Sequence, residues 1–270
     1  MPYHLSLRQG WLTTLTFAAM ATFASAVQAA PLKIGTTAAF APPLEVAADE
    51  ARAQGLDVEL VEFTDWIAPN ASLANKDIDA NYFQHTPFLE NANAAAGYEL
   101  VAVAPGIINN VGLYSKTYSR IQDLPDGARV AIANDAINGG RGLQLLRKAG
   151  LIELTPGVGY RATLGDITSN PKHLQIIELE AVQLARSLDD VDLAQGYPHY
   201  IRLAKTIDPA SALLFDGIDN PEYVIQFVAR PDNRDDPNLK AFIDVYQHSP
   251  HVRKALDEAH GTLYQPGWKD

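Results

Sequence analysis

Three short stretches of the chain combine aromatic, amide and cationic side chains at a spacing suited to holding a small solute. They are Trp66, the run Asn81-Tyr82-Phe83-Gln84-His85, and the segment from Asn134 to Arg141. Ring faces accept the apolar part of a solute, and a planar guanidinium can donate two parallel hydrogen bonds to a carboxylate. The chemistry implied is recognition of a small molecule with an apolar portion and a carboxyl group. The same residues also read as structure, with Tyr82 and Phe83 as core and Asn81 and Asn138 as turn residues. Aromatic spacing of this kind is generic and leaves both readings open.

Equipment for catalysis is sparse. Neither a G-x-S-x-G elbow nor a G-x-x-x-x-G-K phosphate loop occurs. Gly139-Gly140-Arg141-Gly142 is glycine-rich but lacks the G-x-G-x-x-G spacing of a dinucleotide fingerprint. The seven histidines are scattered, and the neighbours His248 and His251 have no carboxylate placed to complete a zinc site. There is no cysteine, which excludes disulfides, thiolate nucleophiles and Fe–S ligation. With 32 acidic against 21 basic residues, the net charge of −11 argues against a nucleic-acid partner, whose phosphates need a positive surface. No cofactor and no metal is expected.

The elements that must position these residues alternate between strand and helix. Leu32–Gly35, Leu56–Phe63, Ile78–Ala80 and Glu99–Ala104 read as strands, with helices at Leu44–Ala53 and Pro87–Ala96 and a short one at Ala71–Asn75. Pro42-Pro43 before the first helix and Gly55 after it are the usual start and stop. Further on, Val111–Tyr114, Arg129–Ala133, His173–Leu179, Val191–Ala194 and Tyr223–Ala229 read as strands. Gly142–Ala149 and Ala181–Ser187 read as helices, and Asp236-Pro237 and Ser249-Pro250 open the last two. This order predicts an α/β fold of two lobes, each a sheet with helices on both faces. The lobes are expected at 30–110 plus 230–270 and at 111–229, with chain crossings near 105–115 and 220–230. In open α/β sheets ligands bind beyond the carboxyl ends of strands, where the three stretches fall.

The first 29 residues read as a secretory signal peptide. Arg8 supplies the positive end, no acidic residue precedes Glu45, and Trp11–Ala24 is apolar but short for a membrane span. Val27-Gln28-Ala29 gives the small-x-small pattern, with cleavage expected after Ala29.

At the candidate site residues a family resemblance appears. Ile78-Asp79-Ala80-Asn81-Tyr82-Phe83-Gln84-His85-Thr86-Pro87-Phe88-Leu89 resembles the D-A-N-x-F-Q-H-x-P-Y-L signature of the methionine-binding lipoproteins, the NlpA/MetQ family. Asn134 to Gly142 and Leu179 to Asp190 are similar to two further motifs of that family, and the likeness runs from about Leu32 to Trp268. The resemblance implies the solute receptor of an ABC importer, two hinged lobes of periplasmic-binding-protein type that close on an amino acid and dock on a membrane permease with its ATPase. Phe83 and His85 then stand at ligand-contacting positions, Arg141 at the carboxylate grip, and Asn138 in the same loop as the family's Asn. Trp66 stands where the family usually has Tyr. His199 and Ile225 replace two Asn residues that hold the amino acid, so methionine itself is not expected as a tight ligand. The family's lipobox Cys has no counterpart in Ala24–Ala30, which implies a freely diffusing periplasmic protein.

The expected binding set is therefore Trp66, Tyr82, Phe83, His85, Asn138 and Arg141, with His199 and Ile225 deciding specificity. The alternative is a secreted enzyme acting on a small carboxylate, with His85 or His199 as general base.

Overall fold

The computed structural model describes Met1 and residues 30–269. The expected signal peptide at 1–29 lies outside the described residues apart from Met1. Past residue 30 the protein is built on two sheets with separate cores. The first has six strands in the order Tyr264–Pro266, Val101–Asn109, Val224–Ala229, Ala80–His85, Leu32–Thr37 and Val58–Phe63. The second has five, in the order Leu214–Phe215, Gly112–Tyr114, Leu193–Gly196, Arg129–Ala133 and Gln175–Leu179. A separate pair, Glu153–Leu154 with Ile167–Ser169, lies outside both.

The chain passes from the first sheet to the second through Asn110 and Val111, directly between two strands. It returns between Phe215 and Val224. The strand Val224–Ala229, expected to end the second lobe, belongs instead to the first sheet, antiparallel to both Ala80–His85 and Val101–Asn109. Five of its six residues are buried, since it is central in its sheet. The helices Pro237–His248 and Pro250–His260 follow it and pack on helix Ala41–Ala53 of the same half.

Two site-bearing segments differ from their sequence reading in an instructive way. The strand expected at Ile78–Ala80 is Ala80–His85, and all six residues are buried. Amides obscured it: Asn81 and Gln84 are satisfied by each other and by Asn70 in a closed buried network, so polar residues occupy a fully covered strand at no desolvation penalty. The stretch after Asn134, which reads as loop, is the first turns of helix Ala136–Lys148, capped by Asp135 accepting from the Asn138 backbone at 2.9 Å. Its glycines serve close packing rather than flexibility. A Cβ on Gly139 would lie 2.6 Å from the Ala133 carbonyl oxygen, and one on Gly140 would collide with the Tyr160 carbonyl.

Tyr82 turns into the core of the first half, stacked on Phe227 at 4.5 Å and Tyr246 at 5.2 Å between ring centroids. Its hydroxyl accepts from the Ile107 N–H at 3.1 Å and from the Tyr246 hydroxyl at 2.8 Å. Tyr82→Phe should therefore strand two buried donors and cost about 1–3 kcal/mol, read as a lower midpoint in urea denaturation. An unchanged midpoint would show that the hydroxyl is not a structural acceptor.

Candidate functional site

Between the two sheets lies a pocket with an empty volume of about 420 Å³. Seven of the eight expected residues line it: Trp66, Phe83, His85, Asn138, Arg141, His199 and Ile225. Tyr82 does not, because it points to the opposite side of its strand, into the core. The fold also brings in Gln84 and Phe88, which lie in the motif segments but outside the expected set, and Phe40, Asn109, Val111, Tyr197 and Tyr223, which the sequence reading missed. Of these five missed residues, only Asn109 carried a signal in the sequence: two adjacent amides, Asn109 and Asn110, interrupt an apolar run at a crossing between sheets.

Two hydrogen bonds between neutral side chains join one half to the other at the pocket. His85 donates from Nε2 to Asn138 Oδ1 across 3.3 Å, and Trp66 donates from its indole to the Tyr200 hydroxyl at 3.0 Å. The direction of the first follows from local structure. His85 caps helix Thr86–Ala96, its Nδ1 accepting from the Phe88 N–H, which leaves the proton on Nε2. Asn138 then orients its amide nitrogen to the Asp135 carboxylate at 3.0 Å. Aromatic walls complete the enclosure. Trp66 meets Tyr197 edge-on at 5.3 Å, Phe83 meets Phe88 at 5.8 Å, and Phe40 lies 4.7 Å from the His199 ring.

Arg141 is 5% exposed and already engaged on one edge. Its Nε donates to Asp216 Oδ2 at 2.7 Å, with Nη2 2.6 Å from the same oxygen. Nη2 also donates to the Asn109 carbonyl at 3.3 Å, and the guanidinium carbon sits 3.7 Å over the Tyr223 ring. A two-pronged fork onto a ligand, the sequence expectation, is thus not what the side chain offers. Nη1 makes no hydrogen bond among the described residues. Asp216 in turn accepts from the Val111 N–H at 2.8 Å, and Gly217 N–H donates to Asn110 Oδ1 at 3.1 Å. The two crossing segments are therefore stitched together where Arg141 meets them.

The pocket is electrically quiet. The Arg141 and Asp216 charges offset each other, and burial keeps the histidines neutral. His85 is pushed down to about 3 by desolvation, aided by the Arg141 charge. His199 falls well below the usual histidine range by burial, with His260 and Arg141 adding to it.

Comparison with known proteins agrees with this architecture. The model of the NlpA lipoprotein family matches residues 32–268. The chain belongs to the NlpA lipoprotein family. It is 42% identical over 215 residues to the D-methionine-binding lipoprotein MetQ of Escherichia coli strain K12, covering 79% of either chain. It resembles the crystal structure of the methionine-binding protein MetQ with a TM-score of 0.84 and 40% identity, over 88% of this chain and 98% of that one. A nutrient-binding protein from Burkholderia cenocepacia bound to methionine superposes with a TM-score of 0.82 at 34% identity, over 88% of this chain and all of the other. This NlpA-family member is a periplasmic solute-binding protein and not an enzyme. The alternative of a secreted enzyme acting on a small carboxylate is set aside, and both ring nitrogens of His85, one of its two candidate bases, are engaged in hydrogen bonds.

Three buried neutral histidines make a prediction about acid stability. His85 and His260 titrate at about 3 and about 4 in the folded protein, and His199 also well below its ordinary value. Each takes up a proton on unfolding once the pH drops below about 6.5, the unperturbed value. Their contribution to stability is complete above that pH and is lost on acidification, with about 1.4 kcal/mol per pH unit for each histidine. Asp135, pushed up by burial, works in the opposite sense but is one group against three. Urea denaturation at pH 7.5, 6 and 5 should show a steep fall between 6.5 and 5. A flat profile over that window would mean the histidines are not buried neutral.

Proposed function

We propose that this protein is the receptor of an ABC importer that closes two lobes on a neutral amino acid or close analogue, with a carboxylate as its anchor. The observation that carries this is the placement of Arg141. One edge is spent on Asp216 and the remaining corner lies at a largely aromatic pocket between the sheets, with the amides Gln84, Asn109 and Asn138 and the aliphatic Val111 and Ile225 in its lining. A carboxylate there gains a charge-assisted hydrogen bond worth about 1.5–3 kcal/mol. The offsetting Arg141–Asp216 charges favour a ligand of no net charge, because an ion without a partner is costly to bury. The lobes are the two sheets with their helices, hinged at Asn110–Val111 and Asp216–Gly217. Ligand contacts come from Trp66, Phe83, His85, Asn138, Arg141, His199 and Ile225. Trp66 and Tyr200, and His85 and Asn138, are the latches of the closed form. Domain closure of this kind is how such receptors commit a ligand before docking on their permease.

Specificity has moved away from that of the methionine-binding relatives. Ile225 brings no polar atom to the pocket, and neutral His199 brings no charge. The chain contains no cysteine to carry a lipid, so the mature protein is free in the periplasm. It should appear in the osmotic-shock fluid without detergent, and retention in the membrane pellet would contradict this.

Calorimetry on ligand-stripped protein tests the reading. At least one neutral amino acid or its close carboxylate analogue should bind, and Arg141→Lys should weaken that binding by about ten- to hundredfold. L- and D-methionine should bind more weakly than about 10 μM, a gap of several kcal/mol from a nanomolar site. Absence of binding by every amino acid offered would overturn the receptor reading. Sub-micromolar methionine would overturn the specificity reading alone.

A further inference from the structure

Among the polar groups at the pocket, Asn109 is exceptional. It is 6% exposed, it lines the pocket, and neither its side-chain nitrogen nor its side-chain oxygen has a hydrogen-bond partner among the described residues. Buried amides are almost always satisfied, as the Asn70–Asn81–Gln84 network of this same protein illustrates. The position has no slack that would excuse the arrangement. Asn109 ends the strand Val101–Asn109, is paired in register with Tyr264, and gives its carbonyl to Arg141 Nη2. The amide is therefore held beside the guanidinium that anchors the ligand. His199 Nδ1, also unpartnered and buried, lines the same pocket. Ile225 lies on the neighbouring strand, one residue beyond the Val224–Ile108 register pair, and brings only carbon.

We propose that Asn109 is the specificity-determining amide of this receptor: it grips the polar head of the bound amino acid, using its oxygen for a donor group and its nitrogen for an acceptor, in place of the contact Ile225 cannot make. This rests on the amino-acid receptor reading given above. It adds that the polar anchor sits on the strand Val101–Asn109 and not on Val224–Ala229. A ligand gripped there is displaced toward Arg141 and the hinge, which accounts for a change of preferred amino acid without loss of the carboxylate site. An unpartnered amide also opposes folding in the unliganded protein, since its desolvation is not compensated until the ligand arrives.

The test compares wild type with Asn109→Leu and Asn109→Ala, each stripped of ligand. Urea denaturation is measured without additive, and binding is measured by native mass spectrometry against an equimolar mixture of the twenty L-amino acids plus D-methionine. Both variants should unfold at the same or higher urea concentration than wild type. Their occupancy by the amino acid that wild type selects should fall by an amount equivalent to about ten- to hundredfold in affinity. Two structurally different replacements guard against a packing effect peculiar to leucine. If wild type selects an amino acid and both variants bind it equally well, the role of Asn109 is wrong and the receptor reading stands. A clear loss of unliganded stability in both variants also overturns the proposal, because it would make the amide a structural group. If wild type retains nothing from the mixture, the amino-acid reading fails and this inference fails with it.

Discussion

The buried pair of Arg141 and Asp216 is the interaction on which the rest of the site depends. It links a helix of the second half to the returning crossover, and through Asp216 and the Val111 N–H to the outgoing one. A charge pair at 5% and 17% side-chain exposure is not a source of stability by default, because desolvation offsets much of the attraction. Its value here is geometric. It fixes the guanidinium in one orientation, flat on Tyr223, with one corner at the pocket. The residue proposed to contact the ligand is therefore bonded directly to the segments by which the chain crosses between the sheets, and under the proposed closure this is the physical route from pocket to crossover.

Around that pair the site is kept free of net charge. Desolvation holds His85 and His199 neutral, and both neutral rings are used: one as a helix cap and latch, the other as part of the wall. Two neutral hydrogen bonds between halves, each worth about 1 kcal/mol net, are weak enough to open and close reversibly. A stronger latch would hold the pocket shut. The aromatic walls supply the remaining contact area without further polar demands.

Much of this was legible in the sequence, for reasons that differ by residue. Strand Arg129–Ala133 was readable to the residue because Val130–Ala133 is an unbroken apolar run bounded by Arg129 and Asn134. Trp66, His85, Asn138 and Arg141 stood out by residue type, and motif likeness then decided between binding and structure, since amide and aromatic spacing alone was ambiguous; Tyr200, the partner of Trp66, was not among the expected residues. Tyr82, at the unspecified position of the signature, was misplaced because aromatic neighbours along a strand do not reveal which face each takes. Helix Ala136–Lys148 was read as loop at its start, since three glycines that serve close packing, two against backbone and Gly142 against the Gln195 side chain, look like flexibility in one dimension. Val224–Ala229 was given to the second half, although its pairing partners come from segments more than a hundred residues earlier. Asp216 had no signal at all. In an acidic chain, the one aspartate that clamps the arginine is visible only in three dimensions.

The central claim is that a ligand carboxylate takes the free corner of Arg141 while Asp216 keeps the other edge. The most direct measurement is a crystal structure of the protein with the amino acid that calorimetry shows to bind. The account predicts a carboxylate oxygen within hydrogen-bonding distance of Arg141 Nη1, with the Nε–Asp216 contact and the Asp216–Val111 bond intact. A ligand carboxylate that displaces Asp216 from the guanidinium, or that lies elsewhere in the pocket, would contradict it.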